Sequence, residues 1–450
     1  MPTALSQLLH SSVRSSPETP RSRLISGRRT CIAILLVALL PASAFPQAPT
    51  PQTLTWQKIK NSFETANPTL KAARLSIQES RAAEITAYLR PNPDLSLGLD
   101  QLPFLPVTSP TGETVFRPLS NIFPSASVSY LHEREQKREL RRDAAKKSTD
   151  VTTLAYSDQE RSLLFTLHSA YVQVLQNKAF LENAKANLDY WDHELRIDKV
   201  RFDAGDLAQL DYDKLRLQRI PFESDFETAT VNLRTAKIQL LQLLNDRTPI
   251  ALFDVNGTYD YSDSLITMDE FRNMALVARP DLLEALQNVE LAKLNYKLAV
   301  ANGSTDPTFG VDIARNPPIS AYIGVNVSIP LRIFDRNQGE KARTQIDIGR
   351  NERLVDAAQA QVFNDVDSAY VTLEGLLTIL RPYKTEYLKL AADTRDKAQF
   401  AYQNGGATLL DYLDAEKTYR DTRLAYLNLI GSYLTAAAQM NMAVGREVLQ

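Results

Sequence analysis

The 450-residue chain has one cysteine, four histidines and five methionines. Cys31 sits in an apolar N-terminal run, so no disulfide can form within the chain and no thiolate pair is available for chemistry. His10, His132, His168 and His193 are scattered, none paired at metal-ligand spacing, and so few methionines make no soft-metal relay. HExxH, P-loop, nucleophile-elbow and dinucleotide-fingerprint motifs are all absent. No catalytic, cofactor or metal residue is therefore assigned, and enzymatic activity is not expected. Glycine is also scarce, at 15 residues. Ala, Leu, Gln, Asp, Arg and Lys instead fill long stretches with few breakers, which points to very long helices.

At the N-terminus, Arg28-Arg29 precede an apolar run from Cys31 to Leu40, followed by Pro41 and the small-residue site Ala42-Ser43-Ala44. That is the order of a secretory signal, expected over 1–44, and the run is too short for a transmembrane helix. The long segment before it leaves open a start downstream of Met1. The residues after Arg28-Arg29 lack the rest of a twin-arginine signal, and Arg28-Arg29-Thr30 before Cys31 disfavour a lipoprotein site. Setting 1–44 aside removes five basic residues and one acid from totals of 51 and 53, taking the net charge from −2 to about −6. A nucleic-acid partner would require the opposite sign.

What the chain does have is a repeat. Phe202, Gly205, Asp211 and Tyr212 return as Tyr402, Gly405, Asp411 and Tyr412, with glycine and aspartate at the same spacing. Ser169-Ala170-Tyr171-Val172 returns as Ser368-Ala369-Tyr370-Val371, and Asn67-Pro68 has a counterpart in Arg279-Pro280. The offset varies between blocks, so insertions separate them and the unit is a long one, duplicated once. The expected organisation is a leader over 45–53, a first repeat over 54–245, a linker over 246–266 and a second repeat over 267–445.

Each repeat reads as a short helix, two strands and two long helices. Arg90-Pro91-Asn92-Pro93 ends a helical pattern over 69–89, because a residue before proline avoids the α region. Leu95, Leu97 and Leu99 then alternate with small or polar residues, as do Ala126, Val128 and Tyr130. The second half has the same alternation at Phe309, Val311 and Ile313 and again at Ile323, Val325, Val327 and Ile329. Period two means strands with one apolar face, predicted at about 94–101, 125–131, 307–315 and 321–329. This fits any half-buried sheet, but the lengths approach those of tilted membrane-spanning strands. An open sheet in lipid would leave its edges unsatisfied, so oligomerisation would have to close it.

Long helix pairs are expected over 133–244 and 337–443. The run from Arg134 to Asp203 has neither proline nor glycine and would extend about 100 Å as a helix. Within it Leu164, Leu167, Tyr171, Val174, Leu181 and Leu188 make a seam that Lys178 and Lys185 interrupt. Gly205 and Gly405-Gly406 break the two long runs, and Pro221 is a candidate kink.

In this order the residues resemble the TolC-type outer-membrane efflux proteins. The segment from Ile329-Pro330-Leu331 through Phe334 to Gly339-Glu340 is similar to the strand-to-helix junction of the heavy-metal and multidrug branch typified by CzcC and CusC. The resemblance covers about residues 54–445. It implies a mainly α fold with a small β part, in a homotrimer: four strands per subunit in a shared twelve-stranded outer-membrane β-barrel, and helices forming a periplasmic α-barrel. It further implies a passive exit duct. Its partners would be a periplasmic adaptor (membrane fusion) protein, an inner-membrane RND-type pump and outer-membrane lipid.

The resemblance also suggests roles for residues. Gly205 and Gly405 would mark helical tips that meet the adaptor, although C-cap glycines need no such contact to be present. Asp411 and Asp414 match the family's aspartate ring at the periplasmic constriction, where threefold symmetry gathers six carboxylates. The alternative is an acidic first turn, favourable to the helix dipole. Tyr402 and Asp211 match tip positions that help hold related channels shut. An arginine that some relatives carry two residues after the second glycine is Ala407 here, which leaves the ionic latch without its cation. Pro330 and Gly339 would mark the strand-to-helix junction. Two other functions stay open: the outer-membrane duct of a type I protein secretion system, and a periplasmic coiled-coil scaffold with no pore. The sequence does not name the exported substrate.

Overall fold

The computed structural model describes residues 52–100, 105–108, 110–115, 122–316 and 319–449. The signal expected over 1–44 lies outside them. In chain order the elements of the first half are β1 (Gln52–Leu54), α1 (Trp56–Ala66), α2 (Pro68–Tyr88), β2 (Asp94–Asp100), β3 (Val107–Thr108), β4 (Thr114–Val115), β5 (Phe123–Leu131), α3 (Lys137–Asp203) and α4 (Gln209–Leu243). A 3-10 turn at Ile250–Leu252 leads to β6 (Phe253–Val255). The second half follows as α5 (Met268–Ala278), α6 (Pro280–Asn302), β7 (Thr308–Asn316), β8 (Ile319–Ser328), α7 (Gln338–Pro382), a π-helical turn at Tyr383–Tyr387, α8 (Leu388–Gln403) and α9 (Leu409–Val444). The protein is mainly α with a small β part.

Matching breakers shape the two halves alike. Pro68 and Pro280 each open a helix at its first position, and the residue before each is extended, which splits α1 from α2 and α5 from α6. Both elbows are clipped to the end of a long helix. Asn67 caps α2 through Thr69 N and Leu70 N and donates to Leu243 O at the end of α4. Arg279 donates to Ala443 O at the end of α9 and pairs with Asp281 (2.6 Å) and Asp365 (2.8 Å).

α3 has 67 residues, about 100 Å of helix. It starts at Lys137 rather than Arg134 because Glu135 and Gln136 both take φ 53°, which no continuing helix accommodates. Asn337, at φ 61°, does the same before α7. α4 runs through Pro221 without a break. In the second half Pro382 is followed at once by the π-helical turn, since a proline removes one donor and crowds the carbonyl a turn earlier. No described helix is long and apolar enough to cross a membrane.

Strands from both halves join in one antiparallel sheet, in the order β2-β5-β7-β8. Leu95, Val128, Val311 and Val325 are in register across it, as are Leu97, Ala126, Ile313 and Ile323. Alternation therefore gathers the apolar residues on one face, and most of them are exposed in the single chain. The opposite face carries Ser96, Ser127, Asp312 and Gly324 in one row. A Cβ at Gly324 would come within 2.6 Å of the Asp312 carboxylate across the strand, so a larger residue there would have to displace that side chain. β3 and β4 pair as a small hairpin between β2 and β5, in a segment whose turn residues gave no strand signal.

The linker is structured as well. β6 pairs in parallel with β1, and Asp254 receives Lys178 (2.9 Å) and Lys237 (3.0 Å), so the lysine that interrupts the α3 seam is a tie to the linker. Asp260 and Asp263 reach Lys384 and Arg381 beside the π-helical turn. Tyr433 Oη donates to Ser262 O. Buried apolar side chains form three clusters, one around α5, α7 and α9, one around α1, α3, α4 and β6, and one at the two glycine turns.

Candidate functional site at the helical turns

Both long hairpins reverse through the same hydrogen-bonded turn. Gly205 N donates to Phe202 O and Asp206 N to Arg201 O; Gly405 N donates to Tyr402 O and Gly406 N to Ala401 O. These are two Schellman motifs, with glycine in the left-handed region at φ 85° and 73°. A Cβ would meet nothing within 4 Å at either position, so the backbone conformation and not crowding calls for glycine.

The next helices start differently. α4 has no side-chain cap at Ala208. α9 has a capping box, in which Asp411 N donates to Thr408 Oγ1 (3.2 Å) while Thr408 N (3.0 Å) and Thr408 Oγ1 (2.6 Å) donate to Asp411 Oδ2. Those donors hold the Asp411 carboxyl below the usual range. Asp414 is exposed and, among the described residues, has no ion pair. Asp211 instead pairs with Lys214 (3.1 Å) on its own helix and not with Tyr402.

Tyr402 is buried in a pile of rings that links the two hairpins. It stacks on Tyr412 (centroids 5.6 Å, planes 7° apart), Tyr412 on Trp191 (6.3 Å, 10°), and Trp191 on Phe222 (5.3 Å, 24°). Arg201 lies over Tyr402 at one end and Arg420 over Phe222 at the other, each 5.3 Å from the ring centroid. The hydroxyls of Tyr190 and Tyr412 are 3.2 Å apart, and Trp191 Nε1 donates to Leu215 O. One side chain from each of α3, α4, α8 and α9 thus enters a single stack. Ala407 is half-buried beside it. Among these rings the sequence suggests a role for Tyr402. Tyr412 was visible as a repeated residue, whereas Trp191 and Phe222 carry no local signal, since their partners lie on other helices.

Three acids are buried in the same region. Glu194, Asp198 and Glu416 are nearly inaccessible. Asp198 has Arg201 at 3.3 Å, and Gln403 Nε2 reaches Glu194 at 3.5 Å. Glu416, 4% exposed, has an Oε2 without a hydrogen bond and its nearest cation, Arg395 Nε, at 4.0 Å. Arg395 is engaged elsewhere, with Asp396 (2.7 Å) and over the Tyr419 ring (4.1 Å). Burial pushes the Glu416 carboxyl up against the pull of Arg395 and Arg420, and burial likewise raises Asp198. Pro330, in the connection from β8 to α7, and Gly339, the second residue of α7, are both exposed. No group of acids and histidines suited to a metal occurs among the described residues.

Comparison with known proteins places these features. Residues 271–446 match the family model described as outer membrane efflux protein. The cobalt-zinc-cadmium resistance protein CzcC of Cupriavidus metallidurans is 24% identical over 391 residues, covering 85% of this chain and 87% of the relative. The outer membrane protein TolC of Escherichia coli is 23% identical over 322 residues, covering 66% of this chain and 64% of TolC. Among solved structures, CusC superposes with a TM-score of 0.73 at 17% identity, covering 90% of this chain and 96% of CusC. VceC of Vibrio cholerae gives 0.68 at 15% identity, over 87% and 96%. The fold is shared with both.

Proposed function

Since the chain belongs to the TolC-like outer membrane efflux proteins, we propose that it is the outer-membrane channel subunit of a tripartite efflux system. It is a passive exit duct for substrates delivered by an inner-membrane RND-type pump and a periplasmic adaptor. The observation that carries this reading is the sheet. It has an exposed apolar face, two edge strands, β2 and β8, without a further partner among the described residues, and helices of about 100 Å running from it. A sheet facing lipid must close on itself, and copies joined β8 to β2 close it; with three copies the barrel has twelve strands. The helical part then lies in the periplasm.

At the far end Gly205 and Gly405 form the tips that meet the adaptor, and Asp411 with Asp414 gives a ring of six carboxylates that favours cations. The ring pile from Phe222 to Tyr402 holds the two hairpins together where Ala407 offers no ionic latch. CzcC is named for cobalt, zinc and cadmium resistance; cargo of that kind would pass through without a resident ligand set.

Heat-resistant trimers in outer-membrane fractions and conductance in planar bilayers are the expected results. A soluble periplasmic monomer that conducts nothing would sink the channel and favour the scaffold.

A further inference from the structure

The paired strands end together on the helix side of the sheet: Asp94 opposes Ser129, Leu131 opposes Thr308, and Thr308 opposes Ser328. Just beyond this edge the chain exposes apolar side chains that no described residue covers. Leu331 is 80% exposed, Ile333 63% and Phe334 90%, with Leu89 at 59% on the opposite side of the sheet's first strand. In sequence, the alternation of Ile323, Val325 and Val327 on β8 runs on through Ile329, Leu331 and Ile333, past the last paired residue. A loop surrounded by water has no use for that continuation.

Charge accompanies it. Arg90, Arg134 and Arg336, in the connections between the sheet and the helices, are exposed, as are the acids Glu135 and Asp335 beside two of them. None of the three arginines forms a salt bridge among the described residues, although Arg336 Nε donates to Arg332 O, whereas their neighbours Arg138, Arg141 and Arg142 pair with Glu139, Glu133 and Asp143. Tyr88, at the end of α2, is covered by the guanidinium of Arg138 at 4.2 Å. Apolar side chains continuous with the outward strand face, an aromatic at the boundary and unpaired arginines together form the pattern that matches a layer of anionic headgroups over hydrocarbon.

We propose that Leu89, Leu331, Ile333 and Phe334, with Arg90, Arg134 and Arg336, form a collar that binds anionic phospholipid in the periplasmic leaflet. The apolar side chains enter the leaflet and the arginines take phosphate. This rests on the outer-membrane reading above and assigns the lipid that the lower rim of the barrel recognises. Each arginine near an anionic surface contributes about fivefold in affinity, a gain that the exposed Glu135 and Asp335 oppose.

The test uses the full chain in vesicles of phosphatidylethanolamine, with and without phosphatidylglycerol. In Phe334→Trp, brominated lipid should quench the added indole emission. Phosphatidylglycerol should raise the unfolding temperature of the wild type and have little effect on Arg90→Gln/Arg134→Gln/Arg336→Gln. Emission indifferent to brominated lipid, or the same phosphatidylglycerol response in wild type and triple variant, overturns the collar. So does efficient disulfide capture of a second copy or of the adaptor by Phe334→Cys, which would identify a different occupant. Planar-bilayer conductance on the same preparations separates the two levels: a wild type that never conducts refutes the channel, while normal conductance without lipid dependence refutes the collar alone.

Discussion

Replacing Tyr412 by leucine tests whether the ring pile keeps the hairpins closed. Tyr412 is buried, stacked on both Tyr402 and Trp191, and its hydroxyl meets that of Tyr190. Each aromatic contact contributes about 0.5–1.5 kcal/mol beyond the area it buries, and a hydrogen bond about 1 kcal/mol. Leucine retains most of the apolar contact but neither stack nor hydroxyl, so Tyr412→Leu should weaken the closed arrangement by about 2–4 kcal/mol per subunit. That is roughly a 30- to 800-fold shift of each subunit's equilibrium toward separated hairpins.

The duplication provides the control. Tyr212 occupies the matching position of the first hairpin, but its ring stacks on Phe202 of the same hairpin (4.9 Å, 8°) and, among the described residues, makes no ring stack or hydrogen bond across the interface, only apolar packing at the edge of the cluster. Tyr212→Leu should therefore lose similar local packing and leave closure unchanged. Single-channel recordings of folded trimers would show higher open probability for Tyr412→Leu alone. Equal behaviour of the two variants, or a Tyr412→Leu channel as closed as the wild type, would refute the argument.

Asp414→Asn should weaken divalent-cation block in single-channel recordings without changing stability, because Asp414 makes no cap. Asp411→Ala should weaken block and also destabilise the start of α9 through the lost capping box, read as a lower unfolding temperature. Glu416 has a carboxyl raised by burial, so the folded protein holds a proton that the unfolded chain has released between the ordinary carboxylate value and the raised one. Its contribution therefore falls as pH rises through that window and stays low above it. Glu416→Gln should flatten this slope in unfolding temperature against pH, and an unchanged slope would rule the group out. Arg279→Ala, at a guanidinium 2% exposed, strands the carboxylates of Asp281 and Asp365 and should cost about 3–5 kcal/mol; a denaturation midpoint close to wild type would contradict the clip.

The sequence by itself determined the order of the four sheet strands and the long helices, but not the short elements α1, α5, β1, β3, β4 and β6. Proline before a helix, glycine after one and period-two alternation are local signals: they act through backbone dihedrals and side-chain direction, which depend on near neighbours. They therefore survive without knowledge of partners, as at Pro68, Pro280, Gly205 and Gly405. The start of α3 was displaced because nothing in Glu135 or Gln136 announces a left-handed backbone; the junction with β7, where Arg134 N donates to Asp306, imposes it. The structured linker was missed for a related reason, since β6 is only three residues long and exists through its pairing with β1. The two copies of the turn share glycine, aspartate and tyrosine at one spacing and differ in charge three residues after the aspartate, Lys214 against Asp414. Only the tertiary structure decided that Asp411 is committed to a cap, that Tyr402 belongs to a stack through four helices, and that Glu416 is buried without a counter-ion in contact. Packing and buried charge are set by residues on different helices, Tyr190 and Tyr412 among them at 222 positions apart, and no local pattern encodes which of them meet.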